Sequence, residues 1–233
     1  MEYPLHVIGF IQSCFKEKFA TPRQAQLAPA ATGKLELIKP FDSPELTRGL
    51  EQVSHIWLTF IFHQSPLWSE SSRLNVRPPR LGGNKSIGIF ASRSPHRPNR
   101  LGQSIAKLEK IQANTLFLSG IDLIEGTPIV DIKPYVPYAD CILTAHNFIA
   151  PSAPEQLTVH WSKKAEIQAK IHEQRLGESI TLLINQCLVQ DPKPAYQKHL
   201  PERHYGTHIW DLNIRWHYPK EKEICILSIE LFE

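Results

Sequence analysis

The chain has 233 residues, with 26 Lys+Arg against 23 Asp+Glu and a formal charge of +3. A hydrophobic share of 42% excludes disorder along the whole chain, and no apolar run approaches the ~20 residues that a membrane-spanning helix needs. The opening Met1-Glu2-Tyr3-Pro4-Leu5-His6 lacks a basic segment followed by a long apolar one, so a cytoplasmic protein is expected. Cys14, Cys141, Cys187 and Cys225 are scattered without a C-x-x-C pair, and none of the 11 histidines forms H-E-x-x-H. No metal centre is expected.

In chain order, strand-like runs rich in Ile, Leu, Val and Phe occupy residues 5–10, 33–38, 55–62, 86–91, 103–111, 115–121 and 127–132. Between the second and third, residues 44–53 read as a helix. Ser43 can cap it, Pro44 stands at its first position, and Leu46, Leu50 and Val53 recur at helical spacing. Gln112-Ala113-Asn114 is the clearest hairpin turn. Seven strands with mainly short connections predict a mainly β fold, with a closed or nearly closed single-sheet barrel over residues 1–145. The alternation of strand and helix that builds a Rossmann domain is missing.

Ala150-Pro151-Ser152-Ala153-Pro154 reads as a linker. Beyond it the pattern predicts a strand at 156–161, a polar helix at 162–174, and a second helix at 178–188 with Ile180, Leu183, Ile184 and Cys187 on one face. Asp191-Pro192-Lys193-Pro194 stops that helix. Residues 209–216 and 223–231 alternate apolar and polar side chains as antiparallel strands with one exposed face. A small α+β domain over 151–233 is expected.

The modest net charge hides a partition. From residue 71 to 108 there is no Asp or Glu, while Arg73, Arg77, Arg80, Lys85, Arg93, Arg97, Arg100 and Lys107 are all cationic. That window carries +8 in a chain of +3, so the remainder is −5. Arginine outnumbers lysine in the window, and its planar fork suits bidentate capture of phosphate or carboxylate. Pro95, Pro98 and Asn99 stiffen the second arginine segment, which reduces the entropy lost on binding a polyanion.

Two segments carry a family resemblance. They are Gly88-Ile89-Phe90-Ala91-Ser92-Arg93-Ser94-Pro95-His96-Arg97-Pro98-Asn99-Arg100-Leu101-Gly102 and Asp131-Ile132-Lys133-Pro134-Tyr135-Val136-Pro137-Tyr138-Ala139-Asp140. With Pro22-Arg23-Gln24, Phe62-His63-Gln64, Asp122-Leu123-Ile124-Glu125-Gly126-Thr127-Pro128 and Gln190-Asp191-Pro192-Lys193-Pro194-Ala195-Tyr196, the chain resembles the TsaA-like (TrmO) family over nearly its whole length. The resemblance implies a barrel that binds S-adenosyl-L-methionine, a small C-terminal domain and a homodimer. It also implies methylation of the N6 nitrogen of N6-threonylcarbamoyladenosine at position 37 of threonine tRNA, beside the anticodon.

By the same resemblance the cofactor is held by Pro22, Arg23, Gln24, His63, Gln64, Arg93, Arg97, Leu101, Asp122, Leu123, Ile124 and Glu125. Glu125 departs from the family's commoner Asp. Arginine suits the cofactor's carboxylate and an acidic side chain its ribose diol. An anticodon arm is a polyanion with splayed bases, for which Arg73, Arg77, Arg80, Arg100 and Lys133 supply charge. Trp57, Trp68, Tyr135 and Tyr138 are candidate stackers. An acylated exocyclic nitrogen is a poor nucleophile, so Asp131 or Asp140 is expected to accept its proton or fix the amino group, with Tyr135 beside them.

The residues alone also admit a non-catalytic nucleic-acid-binding barrel, or a hydrolase. His199, His204, His208 and His217 lie close together with Tyr205, Trp210 and Trp216, in a spacing that fits no metal-ligand pattern. That stretch is expected to contact tRNA or a second protomer.

Overall fold

The computed structural model describes residues 3–69, 71–78, 85–193, 197 and 199–232. In chain order the first strands are β1 (Gly9–Ser13), β2 (Thr32–Leu37), β3 (His55–Ile61), β4 (Asn75–Val76), β5 (Ile87–Gly88), β6 (Leu101–Gln112), β7 (Thr115–Ser119) and β8 (Pro128–Pro134). Six of them close into a barrel in the order β1-β2-β7-β6-β3-β8, with every neighbouring pair antiparallel. Alternation turns Ile11, Leu35, Ile56, Leu58, Phe60, Leu116, Leu118 and Ile129 inward. Each such side chain contributes ~1.5–3 kcal/mol relative to exposure.

The expected seventh barrel strand at 86–91 is a correction. Only Ile87–Gly88 is extended there, and it pairs with β4 in a separate two-stranded ribbon. The chain then coils into a 3₁₀ turn at Ile89–Ala91, with Ile89 buried and Phe90 exposed, so the run lacks the alternation that a barrel wall needs. The helix expected over 44–53 is also divided. Ser43 caps α1 (Pro44–Thr47), but Gly49 takes φ 87°, and a 3₁₀ turn at Leu50–Gln52 follows.

The C-terminal part contains β9 (Thr158–Trp161), α3 (Lys163–Leu176), α4 (Ile180–Leu188), β10 (His204–Ile209), β11 (Leu212–Lys220) and β12 (Glu223–Leu231), after a short helix α2 (Pro137–Asp140). Its sheet runs β10-β11-β12-β9, with β9 parallel to β12. The run expected as one strand at 209–216 holds a turn instead, where Trp210 takes φ 52° and β10 hands over to β11. Ile180, Leu183, Ile184 and Cys187 of α4 are buried, as their spacing predicts. Trp216, Tyr218, Ile224, Ile226 and Ile229 are buried in the same hydrophobic cluster. That cluster is continuous with the barrel interior. Trp210 donates its backbone N–H to Cys14 O at 2.6 Å, Phe19 stacks on Trp216, and Ala30 N donates to Gln186 Oε1 at 2.9 Å. Among the described residues no helix is long and apolar enough to cross a membrane.

Strand direction sorts the connections. β1, β3 and β7 end where β2, β6 and β8 begin, so residues 14–31, 62–100 and 120–127 all emerge at one end of the barrel. The opposite end has the Ala113-Asn114 turn, residues 38–54, the segment entering β1 and the exit at Tyr135. One end of the barrel therefore carries the connections that hold residues 22–24, 63–64, 93–100 and 122–125, the usual place for functional groups on a rigid scaffold.

Candidate active site

At the loop end the three connections are tied together by side chains. Arg93 donates to Gln24 Oε1, joining the second connection to the first. Ser104 of β6 donates its hydroxyl to Asp122 Oδ1, on the third connection. Burial pushes the Asp122 carboxyl up, while the Ser104 hydroxyl, the backbone N–H groups of Asp122 and Ala25 and the Arg93 guanidinium act against that rise. Ser104 was not foreseen. Its signal was an inward polar position on β6, flanked by the inward-facing Gly102 and Ala106.

A second cluster adjoins it. Lys18 Nζ donates to Gln64 O at 3.2 Å, Arg100 Nη1 donates to Ser65 O at 3.3 Å, and Phe62 N donates to Arg100 O at 2.8 Å. Partial burial holds the His63 imidazole below its ordinary value, and the Lys18 ammonium adds to this. Ser65 is only 5% exposed, and its Oγ has no hydrogen-bond partner in the structure. An unpaired buried hydroxyl costs ~1–3 kcal/mol, which a bound polar group would remove. Pro22 and Arg23 face the C-terminal part across a cleft of about 210 Å³, whose far wall is Cys187, Gln190 and Pro192.

The other expected cofactor residues divide by role. Arg97 Nη1 is held by Ser92 O at 2.8 Å and lies over the Phe90 ring, so it shapes its own loop. Glu125 Oε2 accepts from Ser13 N at 2.7 Å and from Lys16 Nζ at 2.9 Å, which ties the third connection to the end of β1. Leu123 is buried, Ile124 packs against the core, and Leu101 opens β6 opposite Ile61.

Asp131, Tyr135 and Asp140 are not brought to this end. β8 begins at the loop end and runs away from it for six residue steps, roughly 20 Å along the strand. Asp131 lies opposite Thr59 on the outer wall, with its carboxylate 3.6 Å from Lys133 Nζ. Tyr135 N donates to His55 O at the far end, and its ring lies 6.1 Å from that of Trp57. Asp140 Oδ2 accepts from Trp57 Nε1 and from Val136 N, each at 2.9 Å. Those bonds, the Val136 N–H foremost, hold the Asp140 carboxyl below the usual range. Tyr138 is exposed, and so are the apolar Ile142, Leu143 and Phe148 further along the chain.

Of the expected nucleic-acid residues, Arg73 and Arg77 are exposed beside the β4-β5 ribbon at the loop end. Arg100 is half-buried and engaged with Ser65, Lys133 is exposed on the outer wall, and Arg80 lies outside the described residues. Among the described residues no group of three or more His, Cys, Asp or Glu side chains could hold a metal ion.

A family model described as the tRNA-methyltransferase O N-terminal domain matches residues 10–141, and one described as the TrmO C-terminal domain matches residues 154–231. RcsF of Pseudomonas aeruginosa, by name a candidate S-adenosylmethionine-dependent methyltransferase, is 56% identical over 229 residues, 98% of either chain. A protein of Escherichia coli K12 named tRNA (adenine(37)-N6)-methyltransferase is 43% identical over 215 residues, 90% of either chain. A crystal structure of TrmO from Pseudomonas aeruginosa superposes with a TM-score of 0.83 at 49% identity, covering 98% of this chain and 99% of that one.

Proposed function

The chain belongs to the tRNA-methyltransferase O family, and from that premise we propose that it is an S-adenosylmethionine-dependent tRNA methyltransferase acting on the N6 nitrogen of adenosine 37. Its substrate is N6-threonylcarbamoyladenosine in threonine tRNA, met in the cytoplasm. The observation that carries this reading is the joining of all three loop-end connections through Gln24, Arg93, Asp122 and Ser104.

The residues present fit the cofactor. Arg93 offers a cation for its carboxylate, Asp122 an acceptor for its ribose hydroxyls, and Ser65 Oγ a buried donor that lacks a protein partner. When bound, S-adenosylmethionine supplies an electrophilic methyl group on sulfonium. The chain's contribution is to align that group with N6 and keep water out, and the closed barrel with its cross-tied loops makes the alignment rigid. Arg73, Arg77 and Arg80, with Arg100 and Lys133, carry the phosphate contacts.

Asp131, Tyr135 and Asp140 serve the same reaction, Asp131 from the outer wall midway along β8 and Tyr135 and Asp140 from the far end of the barrel. Asp140 has both protein hydrogen bonds on Oδ2, which leaves Oδ1 to accept the N6–H. Its depressed carboxyl makes it a weak base, so it holds the N6–H in a hydrogen bond while the methyl bonds to N6 and the C–S bond breaks, and the N6 proton then passes through the carboxylate to solvent. Asp131 stands nearer the loop end and is the second acceptor. Because one chain separates these groups from the cofactor set, a homodimer brings Asp140 of one protomer to the loop end of the other. The exposed Tyr138, Ile142, Leu143 and Phe148 beside Asp140 are the apolar surface for that association. The chain divides, on this reading, into a catalytic barrel at 1–145 and an α+β domain at 151–233.

The test is single-turnover transfer of labelled methyl to threonine tRNA with and without the threonylcarbamoyl group, followed by nucleoside mass spectrometry. Methylated N6-threonylcarbamoyladenosine is the expected product. Unchanged nucleosides alongside stoichiometric cofactor binding would leave a nucleic-acid-binding barrel in its place.

A further inference from the structure

Gln190 opens a motif, Gln190-Asp191-Pro192-Lys193, that the proposed chemistry does not use, and it lies two positions beyond α4. Its side chain reaches out of the C-terminal part. Gln190 Nε2 donates to Leu27 O at 3.3 Å and to Gln186 O at 2.6 Å, while Gln186 Oε1 accepts from Ala30 N at 2.9 Å. Residues four apart share a helix face, so the two half-buried amides form one clamp on residues 27–30 of the first loop-end connection. Small side chains permit that approach. Ala25, Ala28, Ala30 and Ala31 carry only methyl groups, so no bulky side chain at these positions holds α4 off the backbone.

The clamped stretch begins with the 3₁₀ turn at Ala25–Leu27, and that turn meets the cofactor set on its other side. Ala25 N–H donates to the Asp122 carboxylate, and Gln24 Oε1 accepts from Arg93. Within the turn Leu27 N donates to Gln24 O at 3.0 Å, so the residue held by Gln190 is bonded directly to the one that meets Arg93. Downstream, Ala31 O accepts from Ile121 N at 3.4 Å, one position before Asp122. Gln186 and Gln190 thus grip one side of a short segment whose other side presents a backbone donor to Asp122 and a side-chain acceptor to Arg93.

We propose that Gln186 and Gln190 are positioning residues for the cofactor site: by fixing residues 25–30 they hold the Ala25 N–H on the Asp122 carboxylate and Gln24 on Arg93. The inference rests on the cofactor reading above and gives the C-terminal part a share in cofactor affinity. Both glutamines act through the turn rather than on the reacting atoms. A carboxylate and a guanidinium that are already oriented lose less freedom when the ribose hydroxyls and carboxylate of S-adenosylmethionine arrive. Loosening the clamp therefore weakens cofactor binding and leaves the transfer step itself intact.

The experiment titrates the full chain with S-adenosylmethionine by calorimetry and follows the Asp122 carboxyl by NMR across pH. Gln186→Leu removes the acceptor for Ala30 N, Gln190→Leu removes the donor to Leu27 O, and Gln186→Glu keeps an acceptor. Each leucine variant is expected to weaken cofactor binding roughly tenfold, the size of one net hydrogen bond. The Asp122 carboxyl should move further up as the Ala25 N–H withdraws. In methyl transfer the cofactor KM should rise by the same factor at unchanged kcat, and Gln186→Glu should bind cofactor at the parent level. A brace with no bearing on the site would lower Tm and leave cofactor affinity and the Asp122 titration alone. That result overturns the proposal, as does an equal loss in Gln186→Glu. Gln190 lies beyond the end of α4, so Gln190→Leu keeps the test in hand if Gln186→Leu does not fold. Failure of the parent to bind S-adenosylmethionine would instead overturn the cofactor reading, so the two failures are distinguishable.

Discussion

The carboxylate of Asp140 accepts the indole N–H of Trp57 at 2.9 Å, linking the loop after β8 to the outer face of β3 across 83 positions of sequence. Trp57 therefore anchors the loop it borders, which an apolar run in the sequence did not reveal.

Trp57→Phe keeps the ring and removes the donor. The Asp140 carboxyl should rise toward its ordinary range, though the Val136 N–H, its larger partner, limits the rise. The bond lies at the surface, so the stability change should be small. Carboxyl titration by NMR and amide exchange over residues 136–141 check this, and an unmoved titration would contradict it.

Asp122→Asn tests the buried carboxyl. Its native-state value is raised, so its contribution to stability is fullest at low pH and is lost as pH rises through that native value. The amide should therefore be more stable at neutral pH, by a few degrees in Tm for a gain of ~1 kcal/mol, while cofactor affinity falls. Thermal melts across pH with calorimetric cofactor titration separate the two effects.

Gly102→Ala places a Cβ 2.4 Å from the Phe60 ring and 2.9 Å from Phe62. Those rings already meet edge to face at 5.0 Å, and Phe62 opens the connection that carries His63 and Ser65. The substitution should cost about 1–3 kcal/mol in denaturant unfolding and weaken cofactor binding as well. A neutral result would mean that the aromatic pair is free to shift.

Neutralising Arg73, Arg77 and Arg80 together should lower the slope of log tRNA affinity against log salt by about 3 and leave cofactor binding unchanged. A salt-independent affinity in the parent would mean that the charge partition has another purpose.

Subunit exchange tests the proposed homodimer and its shared site. Arg93→Ala and Asp140→Ala homodimers should each be weak, and mixing them should restore about a quarter of parent activity, because half of the dimers then hold one intact site in two. No recovery after demonstrated exchange would mean that Asp140 acts within its own chain or not at all.

The barrel was legible in alternation: Ile56, Leu58 and Phe60 face inward with Trp57 and Thr59 outward, as the sequence pattern requires. Charge segregation was legible too, because omission of acids over 38 residues is a property of the chain itself. The run at 86–91 misled because a short apolar run does not state its partner, and here only two of its residues found one. The helix at 44–53 misled because its apolar spacing continued through Gly49, whose positive φ ends it.

Length, periodicity and charge thus determined a β-rich barrel, a second α+β unit and an arginine-bearing region for an anionic partner. Only the tertiary structure decided which loops share an end, because that depends on strand direction and pairing rather than on nearness in sequence. Gln24, Arg93 and Asp122 come from three separate connections and converge because β1, β3 and β7 all run toward them. Asp140 lies only 18 residues beyond Asp122, yet it ends far from the convergence because β8 runs the other way.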